Sequence, residues 1–492
     1  MDDPRQTGRV VGPGSVASSS LADRSRRVVR GSASVPTRLP HNTMSPSTMM
    51  AKSSASIVAP THKPLGSRVY DELGMERDPN NLYLQIIDAV LHAAEVLELP
   101  HHIQLILAQP KNEIMVHFPV QMDDGSYRLF KGYRVQHNNA LGPYKGGLRF
   151  HPDVHLDDVK SLSALMTMKC SLARLPYGGG KGGIKCDPRS LSKNELMRVT
   201  RRFVTAIASY IGPDVDIPAP DVGTGAQTMA WFADTYMQIR QVPDAISVVT
   251  GKPVEMGGSV GREKATGQGV IDVLAELMPE KGLKMEGGTC VVLGYGNVGS
   301  WSAKLWAERG GRVLAAMDHT GGVRNEKGLD TVALDEHVKA TGGVKGFKGG
   351  ETINESDFYS TKCDVFIPAA LEQMITPEKA KLMNCKMVAE AANAPTTPAG
   401  ERLLLERGIE ILPAILCSAG GVTVIYFEWV QNRTNQYWDL EKVDEELNRH
   451  MVLAARRVVL ARQRFKVDMR TAAYIAALEQ IGKVYELRGI FP

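Results

Sequence analysis

No run of the sequence approaches the roughly 18 to 20 consecutive apolar residues needed to cross a bilayer. A membrane partner is therefore not expected, and with 43% hydrophobic and 23% charged residues the chain reads as soluble and globular. Paired cysteines are missing as well. Cys170, Cys186, Cys290, Cys363, Cys385 and Cys417 stand apart, with no C-x-x-C and no grouping with His. That spacing argues against a disulfide framework and against a metal site, and leaves small buried hydrophobes in a reducing compartment. A basic surface is lacking too. The net charge is +4, but residues 1–64 hold nine Lys or Arg against three Asp, so the remainder is slightly negative and gives nucleic acid no electrostatic footing. No internal repeat is present.

At 492 residues the chain exceeds one ordinary hydrophobic core. Residues 1–64, rich in Ser, Arg, Pro and Gly without apolar periodicity, read as a disordered leader. Arg26 and Arg27 precede no apolar segment of the kind a secretory signal needs. The leader is then an inert extension, a start assigned before Met44, Met49 or Met50, or a transit peptide. The expected location is the cytoplasm, or an organelle if the leader is a transit peptide.

From Asn81 the pattern becomes globular: LYLQIIDAVLHAAEVL has helical spacing, and EIMVHFPVQM and YRLFKGYRVQH read as strands around Asp123–Ser126. This first domain, residues 65–245, continues through two glycine-rich loops. Beyond it, CVVL, RVLAAMD, DVFIP, KMVAE and GIEIL alternate with helical segments, which predicts a doubly wound parallel sheet over residues 246–450. The helical stretch 451–492 is expected to pack back on the first domain. The fold class is α/β with two domains, the second Rossmann-like and dinucleotide-binding.

Gly294-Tyr295-Gly296-Asn297-Val298-Gly299 follows the first of these strands and opens a helix, and the next strand ends in Asp318. In that context the glycines permit a tight turn, close approach of a pyrophosphate and close helix packing, while helix amides bind the anion. Asp318 would accept the ribose diol and repel a 2′-phosphate, so NAD is expected, with NADP possible beside His319.

Two segments set lysine among glycine: GPYKGGLR with Lys145, and PYGGGKGG with Lys181. Between them Lys169 lies on an otherwise apolar helix. Ammonium groups converging on one pocket would bind a small dicarboxylate, and burial with mutual repulsion would lower at least one pKa toward neutrality. Asp221, in PAPDVGT, supplies a second proton-transfer group. Together these predict hydride transfer between a nicotinamide and a 2-amino or 2-oxo acid at Lys181 and Asp221.

The ordered motifs GPYKGGLRFHP, MTMKC, LPYGGGKGG, PAPDVGT, TGKPVEMGGSVGREKATGQG, GYGNVG and GGVTVIYFEWVQN resemble the glutamate dehydrogenases of the hexameric small-subunit type, from about residue 65 to 492. The resemblance implies a homohexamer, a first domain for substrate binding and oligomerisation, and reversible oxidative deamination of glutamate to 2-oxoglutarate and ammonium. It implies that Lys145 holds the side-chain carboxylate, that Lys169 and Arg262 hold the α-carboxylate, and that Asn393 lies near nicotinamide and substrate. Lys181 is implied as the catalytic lysine, Asp221 as the proton shuttle, and Thr266 and Asn297 as cofactor contacts.

Four positions depart from the pattern of that family: Ile425 replaces a serine after GGVTV, Ser418 an asparagine, and Ala391 and Ala394 glycines. Ile425 should cost on the order of 1.5 to 3 kcal/mol of binding to a charged side chain. Lys145 argues that a carboxylate is still wanted, since burying an unpaired ammonium beside an aliphatic ligand is costly. A branched-chain or aromatic amino-acid dehydrogenase and a catalytically impaired regulatory paralogue are the competing readings.

Overall fold

Glycine shapes the first sheet. The computed structural model describes residues 68–241 and 245–490, so the expected leader lies outside the described residues. Five strands, β1 (Asn112–Gln121), β2 (Tyr127–Asn138), β3 (Tyr144–His151), β4 (Gly179–Lys185) and β5 (Asp216–Pro220), pair in the order β1-β2-β4-β3-β5. β1 and β2 form the expected hairpin, antiparallel with Phe118 opposite Phe130. β3 and β4, however, occupy the two segments expected to be loops. They read as loops because Gly146, Gly147, Gly179, Gly180, Gly182 and Gly183 erase the alternation that marks a strand. The glycines are there because the backbones crowd: a Cβ on Gly146 would lie 1.5 Å from the Gly180 carbonyl oxygen, and one on Gly179 2.2 Å from the Thr167 hydroxyl.

Even-numbered positions of β2, β3 and β4 face a core of Phe118, Phe130, Leu148, Phe150, Ile184 and Phe203, closed by the helices Lys193–Ile207 and Ala226–Arg240. Odd-numbered positions face the helix Leu156–Leu172. That division fixes which side chains meet at the site.

The second sheet holds β6 (Thr289–Leu293), β7 (Arg312–Asp318), β8 (Gly321–Arg324), β9 (Glu351–Ile353), β10 (Val365–Pro368), β11 (Met387–Ala389) and β12 (Glu410–Leu412), in the order β12-β11-β10-β6-β7-β8-β9. β12 to β7 are parallel, as expected from strands alternating with helices, whereas β8 and β9 add an antiparallel edge. The edge was invisible in sequence because GGVR and ETI are too short to show a period. The chain leaves β6 toward β7 on one side and returns as β10 on the other, which makes the C-terminal end of β6 the switch point where such sheets bind ligands.

The C-terminal helices return as expected: Met469–Arg488 packs on Leu82–Val96 and Leu156–Leu172. One finding corrects the hydropathy reading. Ala414–Thr434 is long and apolar enough by composition to cross a membrane, with mean hydropathy 1.3, but 78% of it is buried inside the protein. It is a core helix, packed on the helix Ala265–Leu277 through Gly420, whose Cβ would lie 2.1 Å from the Ala265 carbonyl oxygen.

Candidate active site

Lys145, Gly147 and Arg149 alternate along β3 onto the face that also carries Lys181 of β4, with Asp221 just past β5. Because β3 lies between β4 and β5, Lys181 must cross it to reach Asp221. Gly147 makes that crossing possible: a Cβ there would lie 2.8 Å from the Asp221 Cβ. Lys181 Nζ stands 2.9 Å from Asp221 Oδ2, and Arg149 Nε donates to the same oxygen at 2.9 Å. Asp221 is further fixed by its turn, its amide donating to the Thr224 hydroxyl. Burial alone would raise the Asp221 pKa, but the two cations hold it at about 2. Burial lowers the pKa of Lys181, and Asp221 opposes that shift.

Lys169, on the Leu156–Leu172 helix above this face, donates to Ser418 Oγ at 2.8 Å and Asn393 Oδ1 at 3.3 Å. Burial first, and then the Lys181 charge, bring its pKa to about 8. Lys145 is 1% exposed, and its Nζ donates to the carbonyls of Ile217 at 2.9 Å and Pro218 at 3.5 Å. Its pKa falls to about 7, mainly by burial and then by Arg134. The three lysines have different partners. Lys169 and Lys181 share the Asp221 end, Lys145 is held by backbone carbonyls of β5, and the Cys170 thiol feels both Lys145 and Lys169.

Around the Lys145 end, the Thr250 backbone amide donates to the Pro218 carbonyl, and Glu428 receives the amides of Gly251 and Lys252 together with Lys252 Nζ at 2.7 Å. Ile425 lies one turn before Glu428 on the Ala419–Thr434 helix. It is 8% exposed, yet belongs to none of the apolar clusters. The Arg262 guanidinium carbon lies 3.0 Å from where a Gly251 Cβ would be, and its buried Nε has no hydrogen-bond partner among the described residues. Burial lowers its pKa, with Glu428 opposing. Ala394, which follows Asn393, has φ +40°, a left-handed backbone that suits the glycine implied by the resemblance better than alanine.

The second cluster sits at the switch point. Gly294 has φ +89°, and its Cβ would strike the Ala370 backbone at 2.7 Å; a Cβ on Gly299 would lie 1.8 Å from the Gly294 carbonyl oxygen. Gly296 meets nothing within 4 Å and is exposed with Asn297, which leaves the start of the helix Asn297–Glu308 open, without a side-chain cap. Val298 is half-buried behind it. Asn297 Nδ2 donates to the Glu263 carbonyl at 2.8 Å and so brings the turn to Thr266, whose hydroxyl sits 2.5 Å from where a Gly421 Cβ would be. Asp318 is held by Thr320 and by the Val344 amide, which orients a carboxylate that still has free lone pairs. An open helix N-terminus, a bare glycine and an oriented carboxylate at the next strand end fit a dinucleotide.

Sequence reasoning passed over Arg149, Glu372 and the Lys252–Glu428 pair. Arg149 was recoverable, since it continues the period of two set by Lys145 and Gly147. Glu372, whose Oε1 lies 3.2 Å from Arg149 Nη2, carried no local signal.

Comparison with known proteins places the chain in a family. Residues 110–238 match the dimerisation domain of Glu/Leu/Phe/Val dehydrogenases, and residues 257–489 match the Glutamate/Leucine/Phenylalanine/Valine dehydrogenase domain. The chain is 45% identical to the glutamate dehydrogenase of Thermotoga maritima, over 84% of this chain and 99% of that protein. It is 43% identical to the catabolic NAD-specific glutamate dehydrogenase RocG of Bacillus subtilis, over 84% and 97%. Among solved structures, the hetero-hexameric glutamate dehydrogenase of Thermus thermophilus, in its Leu-bound form, superposes with a TM-score of 0.81 at 35% identity, covering 85% of this chain and 99% of that one. The chain therefore belongs to the Glutamate/Leucine/Phenylalanine/Valine dehydrogenase family.

Proposed function

We propose that the protein catalyses the reversible NAD-dependent oxidative deamination of L-glutamate to 2-oxoglutarate and ammonium. The observation that carries this reading is the Lys181–Asp221 pair bridging bare Gly147, with a second buried ammonium, Lys145, two residues away on the same strand face. In this reading Lys145 receives the side-chain carboxylate, which replaces the carbonyls it now faces. Lys169 and Arg262 receive the α-carboxylate, and the unpaired Arg262 Nε supports that role. Asn393, tethered to Lys169, borders the reacting carbon.

NAD held by Gly294, Gly296, Asn297, Val298, Gly299, Thr266 and Asp318 would accept the hydride. Lys181, its ammonium destabilised by burial, gives up a proton readily, assists attack of water on the imine carbon and then stabilises the developing oxyanion. Asp221 moves protons on and off nitrogen. The relatives' NAD specificity and the Asp318 carboxylate both favour NAD over NADP. We also infer a hexamer working in the cytoplasm, built of six identical subunits as the resemblance implies; the hetero-hexameric neighbour supports the number of subunits, and the six free cysteines support a reducing compartment.

The test is NADH formation with glutamate, leucine, phenylalanine and valine as substrates. Glutamate is expected to show the highest kcat/KM, and a large preference for leucine overturns the reading. Ile425 favours the second reading, an aliphatic substrate, because it places a buried hydrocarbon side chain that joins none of the four apolar clusters one turn before Glu428. Ile425→Ser decides between them: the KM for glutamate should fall on the order of tenfold as one hydrogen bond to a charged group is restored. An unchanged or raised KM shows that Ile425 does not limit carboxylate binding.

A further inference from the structure

Arg149 is shared between two carboxylates that belong to different sheets. Its Nε donates to Asp221 Oδ2 at 2.9 Å, and its Nη2 to Glu372 Oε1 at 3.2 Å. Glu372 lies just past β10, two residues beyond Ala370, whose backbone is the floor against which the Gly294 turn rests. The next residue, Gln373, makes a second crossing by donating to Gln85 Oε1 at 3.1 Å. One short segment thus supports the cofactor turn on one side and grips the first sheet on the other.

The charge balance around Asp221 gives this grip chemical weight. Asp221 Oδ2 takes both Lys181 Nζ and Arg149 Nε, so two cations lie against a single oxygen. A carboxylate so fully neutralised is a poor proton acceptor. The charged groups around Asp221 and Arg149 are Lys181 from β4 and Lys169 from the Leu156–Leu172 helix on the Asp221 side, and Glu372 and Asp158 on the Arg149 side, with His155 at that helix's N-cap beside Asp158. Of the two carboxylates in this set besides Asp221, Asp158 feels Arg149 at longer range and Glu372 is hydrogen-bonded to it.

We propose that Glu372 is a positioning residue for proton transfer: by holding Arg149 across the cleft it withdraws positive charge from Asp221 and Lys181, and so ties the base strength of the pair to the approach of the nucleotide-binding sheet. The inference rests on the catalytic reading of Lys181 and Asp221. Loss of the Glu372 charge lowers the proton affinity of both groups. Asp221 then becomes a weaker acceptor, and Lys181 loses its proton at lower pH.

The experiment measures glutamate oxidation from acid to alkaline pH for full-length Glu372→Gln, Glu372→Ala, Glu372→Asp and Asp221→Asn, with NADH binding followed by fluorescence as a check on folding. Glu372→Gln and Glu372→Ala should lower kcat about three- to tenfold, bind NADH normally and move the acid limb of kcat/KM to lower pH. Glu372→Asp should restore part of both effects. Wild-type kcat with an unmoved limb in Glu372→Gln overturns the proposal, as does a loss of kcat that leaves the limb in place. Full activity in Asp221→Asn instead overturns the catalytic reading beneath it.

Discussion

Two carboxylates flank the same five-stranded sheet, and each is met by a cation that reaches across neighbouring strands. On one face Arg134 of β2 spans bare Gly180 and Gly182 to Asp216, with its Nε 2.8 Å from Oδ2. On the other, Lys181 of β4 spans bare Gly147 to Asp221 at 2.9 Å. The surroundings separate them. Arg134 and Asp216 are 1% and 0% exposed, and their remaining valences are filled by the carbonyls of Gly146 and Gly147 and by Gln136. Asp221 is 19% exposed, acts electrostatically on Lys169, and is tied through Arg149 to Glu372 beyond β10 of the second sheet. A saturated pair is a strut, whereas a similar pair left partly open can exchange protons with a ligand.

The contrast breaks most visibly if the two faces are cut in turn. Lys181→Ala should lower turnover on the order of a thousandfold while NADH binding persists, because it removes a proton-transfer group without disturbing the second sheet. Near-wild-type turnover would place that face among the struts. Asp216→Ala should do the reverse, costing about 3 to 5 kcal/mol of folding stability by leaving the Arg134 charge buried and unanswered. Chemical denaturation measures it, and a cost below about 1 kcal/mol would show that the Arg134 charge finds other partners.

Much of the reactive face could be read from sequence because its parts are chemically marked: lysine among glycines, aspartate between proline and glycine, and a glycine turn followed by an acidic strand end. The strut was illegible. Arg134 and Asp216 are 82 residues apart, and only the strand order brings them together. β3 and β4 were readable as functional segments yet not as strands, since the glycines that allow the close approach also remove the side chains from which a strand is recognised. Glu372 failed for a third reason, as its partner Arg149 lies 223 residues away with no intervening pattern. Residue type thus marked the candidate site, while register and long-range pairing stayed hidden.

The smallest expected effect concerns how the open pair responds to acid. Lys181 and Arg149 outweigh burial and hold the Asp221 pKa at about 2, below its ordinary 3.8. A carboxyl with a depressed native pKa contributes stability that is complete above its unfolded value and is lost as pH falls through the folded one. The window here therefore runs from about pH 4 down to about pH 2, and the contribution is on the order of 2 kcal/mol. Asp221→Asn cannot titrate, so the stability difference between it and the wild type should shrink across that window. Lys181→Met, which removes one of the two cations, should raise the Asp221 pKa and move the loss to higher pH. Denaturant titrations at successive acid pH values read both curves. If the wild type and Asp221→Asn run parallel through the window, the cations do not hold Asp221 as tightly as the 2.9 Å contacts imply, and the open pair differs from the strut in strength as well as in exposure.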